Sequence, residues 1–369
     1  MSKFKDKEYM QLALELAEKA RGRTSPNPMV GAVIVRDDKI VGQGYHRKAG
    51  TPHAEIHAID DAGELAKGST MYVSLEPCSH QGRTGPCTEA IIKAGLSRVV
   101  MAMEDPNPRV SGRGRQILQE HGLLVKSGIM EKEAQRLNEV FIKHITTGRP
   151  FITIKTAMTL DGKIATCTGE SRWISCEESR NIVHRIRDEV DAIMVGIGTV
   201  LKDDPSLTTR LPDGNGKDPI RIILDSKGHI PLESRVLHLD SNAKTIIAVT
   251  SQVSERKLDE IRKYAEVMIL PSIDGRIDLN ALMDKLGGMD ITSLLVEGGA
   301  RVNASIIKAE LADRIMIFIA PKIVGGTTAP GPIGDTGIEK LSDAILIRDM
   351  VFESIGADIF ITGYFRGKD

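Results

Sequence analysis

The sequence predicts an α/β protein of two domains. Three observations carry this. Apolar patterns of period 2 and period 3.6 alternate along the chain, as in sheets covered by helices. A segment holding both chain-punctuating residues, Thr146-Thr147-Gly148-Arg149-Pro150, divides the 369 residues into two pieces of ordinary domain size. The closely spaced His and Cys donors all lie in the first piece. The domains are therefore placed at 1–147 and 148–369.

In the first domain, residues 6–21 put Tyr9, Leu12, Ala13, Leu16 and Ala20 on one helical face. Val30 to Val35 and Ile40 to Tyr45 form two strands joined by the tight polar turn Arg36-Asp37-Asp38-Lys39. His53 to Leu65 is helical, with Ile56, Ile59, Ala62 and Leu65 as its buried stripe. Thr70 to Leu75 and Arg98 to Met103 are strands, and Thr88 to Ala94 is a short helix stopped by Gly95. Gln116 to Glu120 and Lys132 to Ile145 are helical. This order predicts a mostly parallel sheet covered on both faces.

The second domain opens with a strand, Phe151 to Ala157. Further strands follow at Ala192–Val195, Ile220–Leu224, Thr245–Val249, Val267–Leu270 and Ser293–Val296. Helical patterns lie at Glu177–Glu189, Glu255–Tyr264, Leu279–Leu286 and Val302–Ala309. The last stretch, Arg314–Ala320, Ile345–Phe352 and Asp358–Phe365, is rich in strands.

Composition excludes several classes. The 49 basic and 50 acidic residues leave a net charge of −1, without the clustered positive charge that nucleic acid or membrane surfaces attract. No apolar run approaches bilayer-spanning length, and the N-terminus lacks a secretory core. Four cysteines in so long a chain fit a reducing cytoplasm, with thiols free for metal or thiol chemistry.

The first domain carries a metal-ligand pattern. His53-Ala54-Glu55 opens a helix, Cys78 follows a strand, and Cys87 opens another helix. One imidazole and two thiolates suit Zn²⁺, and three protein ligands leave a fourth position for water. Zinc lowers the pKa of bound water to about 7. Two helical residues two apart point in different directions, so Glu55 stands beside the metal as a proton carrier rather than a fourth ligand. Cys87 gains thiolate character from its helix start. A closed structural site with His80 as fourth ligand is the rival reading, but it leaves Glu55 without a task. Ser25-Pro26-Asn27-Pro28 is either a plain turn or a rigid loop whose single amide reads a base.

His-x-Glu followed by Pro-Cys and a second Cys resembles the zinc-dependent nucleobase deaminases. Eight residues separate Cys78 from Cys87, where two are usual. Together with Leu75-Glu76-Pro77-Cys78-Ser79-His80 and Thr84-Gly85-Pro86-Cys87, that gap is similar to the bifunctional deaminase–reductase family of riboflavin biosynthesis. The second half resembles the same family at Leu160-Asp161-Gly162-Lys163, Gly169-Glu170-Ser171-Arg172-Trp173-Ile174, Gly196-Ile197-Gly198-Thr199-Val200, Asp203-Asp204-Pro205-Ser206-Leu207-Thr208 and Val296-Glu297-Gly298-Gly299.

The resemblance implies a cytidine-deaminase-like α/β/α domain followed by a dihydrofolate-reductase-like α/β domain. It implies one Zn²⁺ in the first and NADPH in the second, a small pyrimidine ribotide as substrate, and a homo-oligomer. Glu55 would be catalytic, with His53, Cys78 and Cys87 on the metal. Asn27 and His80 would orient the pyrimidine, with His46 as a further candidate; Arg83 is either a phosphate contact or a solvated loop charge. Ala157, Trp173, Thr199, Asp203, Ser226, Gly299, Ala300, Arg301, Val302, Asn303, Ala304 and Ser305 would contact NADPH. Lys155, Ser171, Arg187, Leu207, Arg210 and Glu297 would contact the substrate, the two arginines as forked cations for its phosphate. Lys155 and Asp203 form the nearest acid/base pair for reduction. Trp173, the sole Trp, either covers the nicotinamide or is a core aromatic. Cys167 and Cys176 are free thiols. The alternatives are a nucleic-acid or nucleoside deaminase with an accessory domain, for which a basic tract is missing, and a non-catalytic zinc-stabilised nucleotide binder.

Overall fold

The computed structural model describes residues 3–79, 85–107, 110–334 and 337–365. It divides into two compact units, Met1–Arg149 and Pro150–Asp369.

The first unit runs α1 (Lys3–Glu18), β1 (Gly31–Arg36), β2 (Lys39–Tyr45), α2 (Ala54–Ala62), β3 (Thr70–Val73), α3 (Cys87–Lys93), β4 (Arg98–Met101), α4 (Arg113–Glu120), β5 (Leu124–Lys126), α5 (Glu131–Leu137) and α6 (Glu139–Thr147). Its sheet has the order β2-β1-β3-β4-β5. The expected turn between β1 and β2 is present, with Asp37 and Asp38 both at positive φ (48° and 60°), as a two-residue hairpin turn requires. The sheet departs from the mostly parallel expectation. β1 pairs antiparallel with both β2 and β3, and only β3, β4 and β5 are parallel.

Helices cover both faces of this sheet, and glycines show how closely. A Cβ on Gly31 would come within 2.0 Å of the Ala13 carbonyl of α1, and one on Gly44 within 2.8 Å of the Ala54 carbonyl of α2. Gly44 lies opposite Ala32, the next residue after Gly31, so the two helices sit on opposite faces. The single helix expected over Lys132–Ile145 is two. Asn138 breaks it, buried with its amide spent on the Met29 backbone: Oδ1 accepts from Met29 N at 2.8 Å and Nδ2 donates to Met29 O at 2.9 Å.

The second unit runs β6 (Phe151–Thr159), α7 (Glu177–Glu189), β7 (Ala192–Gly196), α8 (Ile197–Asp203), β8 (Ile220–Leu224), β9 (Thr245–Thr250), α9 (Glu255–Arg262), β10 (Glu266–Leu270), the small hairpin β11 (Ser272–Ile273) and β12 (Arg276–Ile277), α10 (Leu279–Gly287), β13 (Ser293–Val296), α11 (Ala300–Lys308), β14 (Arg314–Ala320), β15 (Ile347–Ile355) and β16 (Asp358–Phe365). The sheet order is β10-β9-β8-β7-β13-β6-β14-β16-β15, parallel from β10 through β14. Alternate residues feed two cores. Ile193 and Val195 pack with Ile186, Val200, Leu258 and Ile261 from α7, α8 and α9. Ala192 and Met194 pack with Leu282, Met283 and Ile306 from α10 and α11.

The chain leaves β7 toward β8 on one side and leaves β13 toward β14 on the other. These neighbouring strands therefore form a topological switch point, where a crevice opens at the carboxyl ends of the strands.

Candidate active sites

Three local devices assemble the metal donors. His53 is the extended N-cap residue of α2 (φ −75°, ψ 165°), which aims its ring back past the helix start. Cys78 lies in the loop after β3, and Pro86 at φ −60° introduces α3 with Cys87 as its first residue. The new helix then grips the earlier cysteine: Cys87 N donates to Cys78 Sγ at 3.3 Å, and Thr88 N to Cys78 O at 3.2 Å. His53 Nδ1 lies 3.2 Å from Cys87 Sγ and 3.6 Å from Cys78 Sγ. Tetrahedral zinc, with about 2.05 Å to nitrogen and about 2.3 Å to sulfur, holds such pairs about 3.6 Å apart. The donor set fits the metal. Among the described residues, these three side chains are the one metal-donor group found, with all donor atoms within 4.8 Å of each other.

Glu55 is the second residue of α2, in its first turn, 3% exposed, and is absent from that group. Burial, reinforced by the negative Cys78 sulfur, pushes its carboxyl up to about 7. The Cys78 thiol is pulled down to about 4 by its hydrogen bond with the Cys87 thiol, against burial and with help from His53. Glu55, His53 and Cys78 face a cavity of about 250 Å³, whose other walls include Asn27, His46, Glu76, Asp105, Asn107 and Phe141. Asn27 Nδ2 lies 3.1 Å from His46 Nε2, and His46 Nδ1 lies 3.2 Å from the Pro52 carbonyl. The His46 ring stands edge-on to His53, with centroids 5.4 Å apart. His80 and Arg83 lie outside the described residues.

In the second unit, the expected cofactor residues gather at the carboxyl ends of adjacent parallel strands. Ala157 is on β6, Thr199 and Asp203 are on α8 after β7, Ser226 follows β8, and Gly299 to Ser305 follow β13. The turns into α8 and α11 interlock, because a Cβ on Gly196 or Gly298 would meet the Val302 side chain at 2.8 or 2.7 Å. Gly299 is the extended N-cap of α11, and the backbone N–H groups there are suited to phosphate. Asn303 is buried with Oδ1 lacking any partner, while its Nδ2 donates to Pro332 O. This orphaned acceptor and the glycine-lined switch point fit a dinucleotide.

Three of the expected substrate residues, Lys155, Arg187 and Glu297, form one ion-pair cluster. Glu297 accepts from Arg187 Nε and Nη2 at 2.7 and 2.9 Å and pairs with Lys155 Nζ at 2.8 Å. Burial pushes the Glu297 carboxyl up, but Arg187 and Lys155 outweigh it and hold it far below the usual carboxylate range. Arg187 Nη1 also holds the Thr208 carbonyl at 3.0 Å, and Arg210 Nη1 donates to Thr208 Oγ1 at 2.9 Å. Leu207 beside them is buried at positive φ (53°). The carboxylate paired with Lys155 is thus Glu297 rather than Asp203, whose carbonyl accepts from Arg172. Trp173 is 63% exposed, not a core aromatic, with the Arg180 guanidinium 4.8 Å from its ring centroid. Ser171, nearby in the chain, is half-buried.

Comparison with known proteins accounts for both units. Residues 3–103 match the model of the cytidine and deoxycytidylate deaminase zinc-binding region, and residues 150–361 match that of the RibD C-terminal domain. The riboflavin biosynthesis protein RibD of Aquifex aeolicus is 48% identical over 356 residues, spanning 96% of this chain and 97% of that protein. RibD of Escherichia coli is 42% identical, spanning 96% of this chain and 98% of that protein. The structure of Acinetobacter baumannii RibD matches with a TM-score of 0.88 at 35% identity, covering 99% of this chain and 100% of that one. This chain belongs to the RibD family.

As a RibD protein it is a bifunctional deaminase–reductase of riboflavin biosynthesis, with a zinc-dependent deaminase half and an NADPH-dependent reductase half. A Thermotoga maritima neighbour (TM-score 0.86, 36% identity, 99% of each chain covered) is described as a diaminohydroxyphosphoribosylaminopyrimidine deaminase/5-amino-6-(5-phosphoribosylamino)uracil reductase. Sequence reasoning missed several wall residues of the RibD deaminase cavity, among them Glu76, Asp105, Asn107 and Phe141; the only signal for Glu76 was its place in Leu75-Glu76-Pro77-Cys78. It also missed α8, which begins at Ile197 directly after β7.

Proposed function

We propose that the deaminase half hydrolyses 2,5-diamino-6-ribosylamino-4(3H)-pyrimidinone 5′-phosphate, and that the reductase half reduces the ribosyl chain of the product to ribityl. The description of the Thermotoga maritima neighbour supports this pair of activities. In the first step water adds at the ring carbon bearing the 2-amino group and ammonia leaves, so a C–NH₂ becomes a carbonyl. Zinc, when bound by His53, Cys78 and Cys87, supplies the acidified water. The chain's own task is proton transport. Glu55 takes one proton of the water and passes it to the ring nitrogen; it then takes the remaining hydroxyl proton of the adduct and delivers it to the departing amine as the carbonyl forms.

Asn27 orients the ring. With His46 Nδ1–H donated to the Pro52 carbonyl, Nε2 is left to accept from Asn27 Nδ2. That network commits Asn27 Nδ2 and leaves Oδ1 to accept from a donor on the pyrimidine. His80 and Arg83 keep their assignment on the resemblance alone. In the second step NADPH, when bound, supplies a hydride, and one proton completes the reduction. Ala157, Trp173, Thr199, Asp203, Ser226 and residues Gly299 to Ser305 would hold the cofactor. Lys155, Ser171, Arg187, Leu207, Arg210 and Glu297 would hold the substrate, with Arg210 the arginine not committed to Glu297 and best placed for the phosphate.

The observation that carries this reading is the buried Glu55 beside three converging metal donors. The test is a coupled assay on the diamino ribotide with NADPH, comparing the intact chain with Glu55→Gln. The variant is expected to keep zinc and to reduce pre-deaminated substrate while losing ammonia release by at least about a hundredfold. Loss of reduction as well would refute two separable sites.

Three further readings belong with this proposal. The deaminase and reductase domains are assigned to 1–147 and 148–369, supported by the division into compact units beside Pro150. A homo-oligomer is supported by the edge strand β15, where Met350, Val351 and Phe352 are all exposed. A cytoplasmic location is supported by four unpaired cysteines, and no helix of the described residues is long and apolar enough to cross a membrane.

A further inference from the structure

The geometry assigns Glu76 as a positioning residue that sets substrate affinity in the deaminase half, through the loop between β4 and α4. The inference rests on the deaminase reading above. Glu76 precedes the metal ligand Cys78 by two residues and is 5% exposed. Its carboxylate is occupied by backbone from a segment about thirty to forty residues later. Oε2 accepts from Asp105 N at 3.0 Å and from Gly112 N at 2.9 Å, and Oε1 accepts from Arg115 N at 3.0 Å.

These three bonds clamp both ends of one loop. Asp105 opens it and Gly112 closes it, and between them Asp105, Asn107 and Val110 line the deaminase cavity. The N-cap of α4 is Gly112, at φ 77° and without a side chain; Arg113 N is met locally by the Val110 carbonyl at 3.1 Å, but no cap side chain offers an acceptor to Arg115 N in the first turn. Glu76 supplies it from across the fold. Glu76 N in turn donates to Met103 O at 3.0 Å. The fit is tight on the far side as well, since a Cβ on Gly114 would lie 2.1 Å from the Pro77 carbonyl.

With three N–H donors on its two oxygens, Glu76 is not arranged as a second proton carrier beside Glu55. Its effect runs through the wall it holds. It joins the segment that presents Cys78 to the segment that presents Asp105 and Asn107, and so fixes the spacing between the reacting centre and the part of the cavity that reads the remainder of the substrate. A loosened wall lowers affinity before it alters chemistry at the metal.

The test is a double-mutant cycle on the full-length zinc-loaded protein. It compares wild type, Glu76→Gln, Asn107→Ala and the pair, with ammonia release measured against concentration of the diamino ribotide. The isosteric Gln has one accepting oxygen instead of two, so at least one of the three bonds is lost. KM is expected to rise about tenfold with kcat changed less than about threefold. Zinc content and reduction of pre-deaminated substrate should not change. In the Asn107→Ala background the Glu76→Gln effect on KM should shrink, because the two residues act through one loop. Additive effects, a fall in kcat alone, or loss of zinc or of cooperative unfolding would overturn the proposal in favour of a catalytic or a purely structural role. Absence of ammonia release from the wild type would instead overturn the deaminase reading, and the inference with it.

Discussion

Glu297→Gln in the reductase half provides a stringent quantitative test of the second site. The carboxylate is 8% exposed and lies between Arg187 and Lys155, whose side chains are 13% and 14% exposed. Replacing it with a neutral amide leaves two neighbouring cations without a counter-charge and turns an amide N–H₂ toward N–H donors. Removing one partner of a buried ion pair costs about 3–5 kcal/mol. For a unit of about 150–250 residues, each kcal/mol moves the midpoint by about 2–4 °C, so a fall of at least about 6 °C is expected. Trp173, the sole Trp, lies in this unit, so its fluorescence follows the reductase transition separately from the deaminase transition. The folded pKa of Glu297 is depressed, so its stabilisation is complete above the ordinary carboxylate range and is lost as pH falls toward that depressed value. The gap between variant and wild type should therefore persist at pH 7 and narrow in strong acid. A melting point within about 1 °C of wild type at pH 7 would refute the reasoning.

Two predictions concern the deaminase half. Burial pushes the Asp6 carboxyl up, but hydrogen bonds from Arg98, Lys126 and Tyr72 overcome it and hold the pKa at about 2, against an ordinary 3.8. Asp6→Asn should cost about 2 kcal/mol at pH 7 in urea unfolding followed by circular dichroism, and the difference should vanish between about pH 4 and pH 2. Gly31→Ala should destabilise by at least about 1–3 kcal/mol in the same assay, because its Cβ has no room beneath the Ala13 carbonyl.

The metal donors were legible because zinc chemistry restricts residue type and because His53, Cys78 and Cys87 sit at element ends that the sequence pattern marks. The β1–β2 hairpin was legible in Asp37-Asp38 for a similar local reason. What failed depended on partners far apart in the chain. Asn138 sits in a convincing helical pattern, and only its bonds to Met29 break the helix. The antiparallel pairing of β1 with β3 is set by how the chain passes through α2, which strand patterns alone do not encode. Lys155 meets Glu297 because β6 and β13 are neighbours in the sheet, although 142 residues separate the two in sequence. Glu76 escaped notice because it touches neither metal nor another charged side chain in the described network, and its partners are backbone N–H groups. The seven residues of α8, Gly198 among them, were too short a helix for periodicity to reveal.

The central claim is that one imidazole and two thiolates hold zinc with a position left for water, beside a carboxylate that carries protons. X-ray absorption at the zinc edge on the purified chain addresses it most directly. One zinc per chain, with two sulfurs near about 2.3 Å and two lighter donors near about 2.0–2.1 Å, one of them exchangeable with added ligand, is the predicted result. A shell of four protein donors inert to exchange, or a spectrum lacking the two sulfurs, would contradict it.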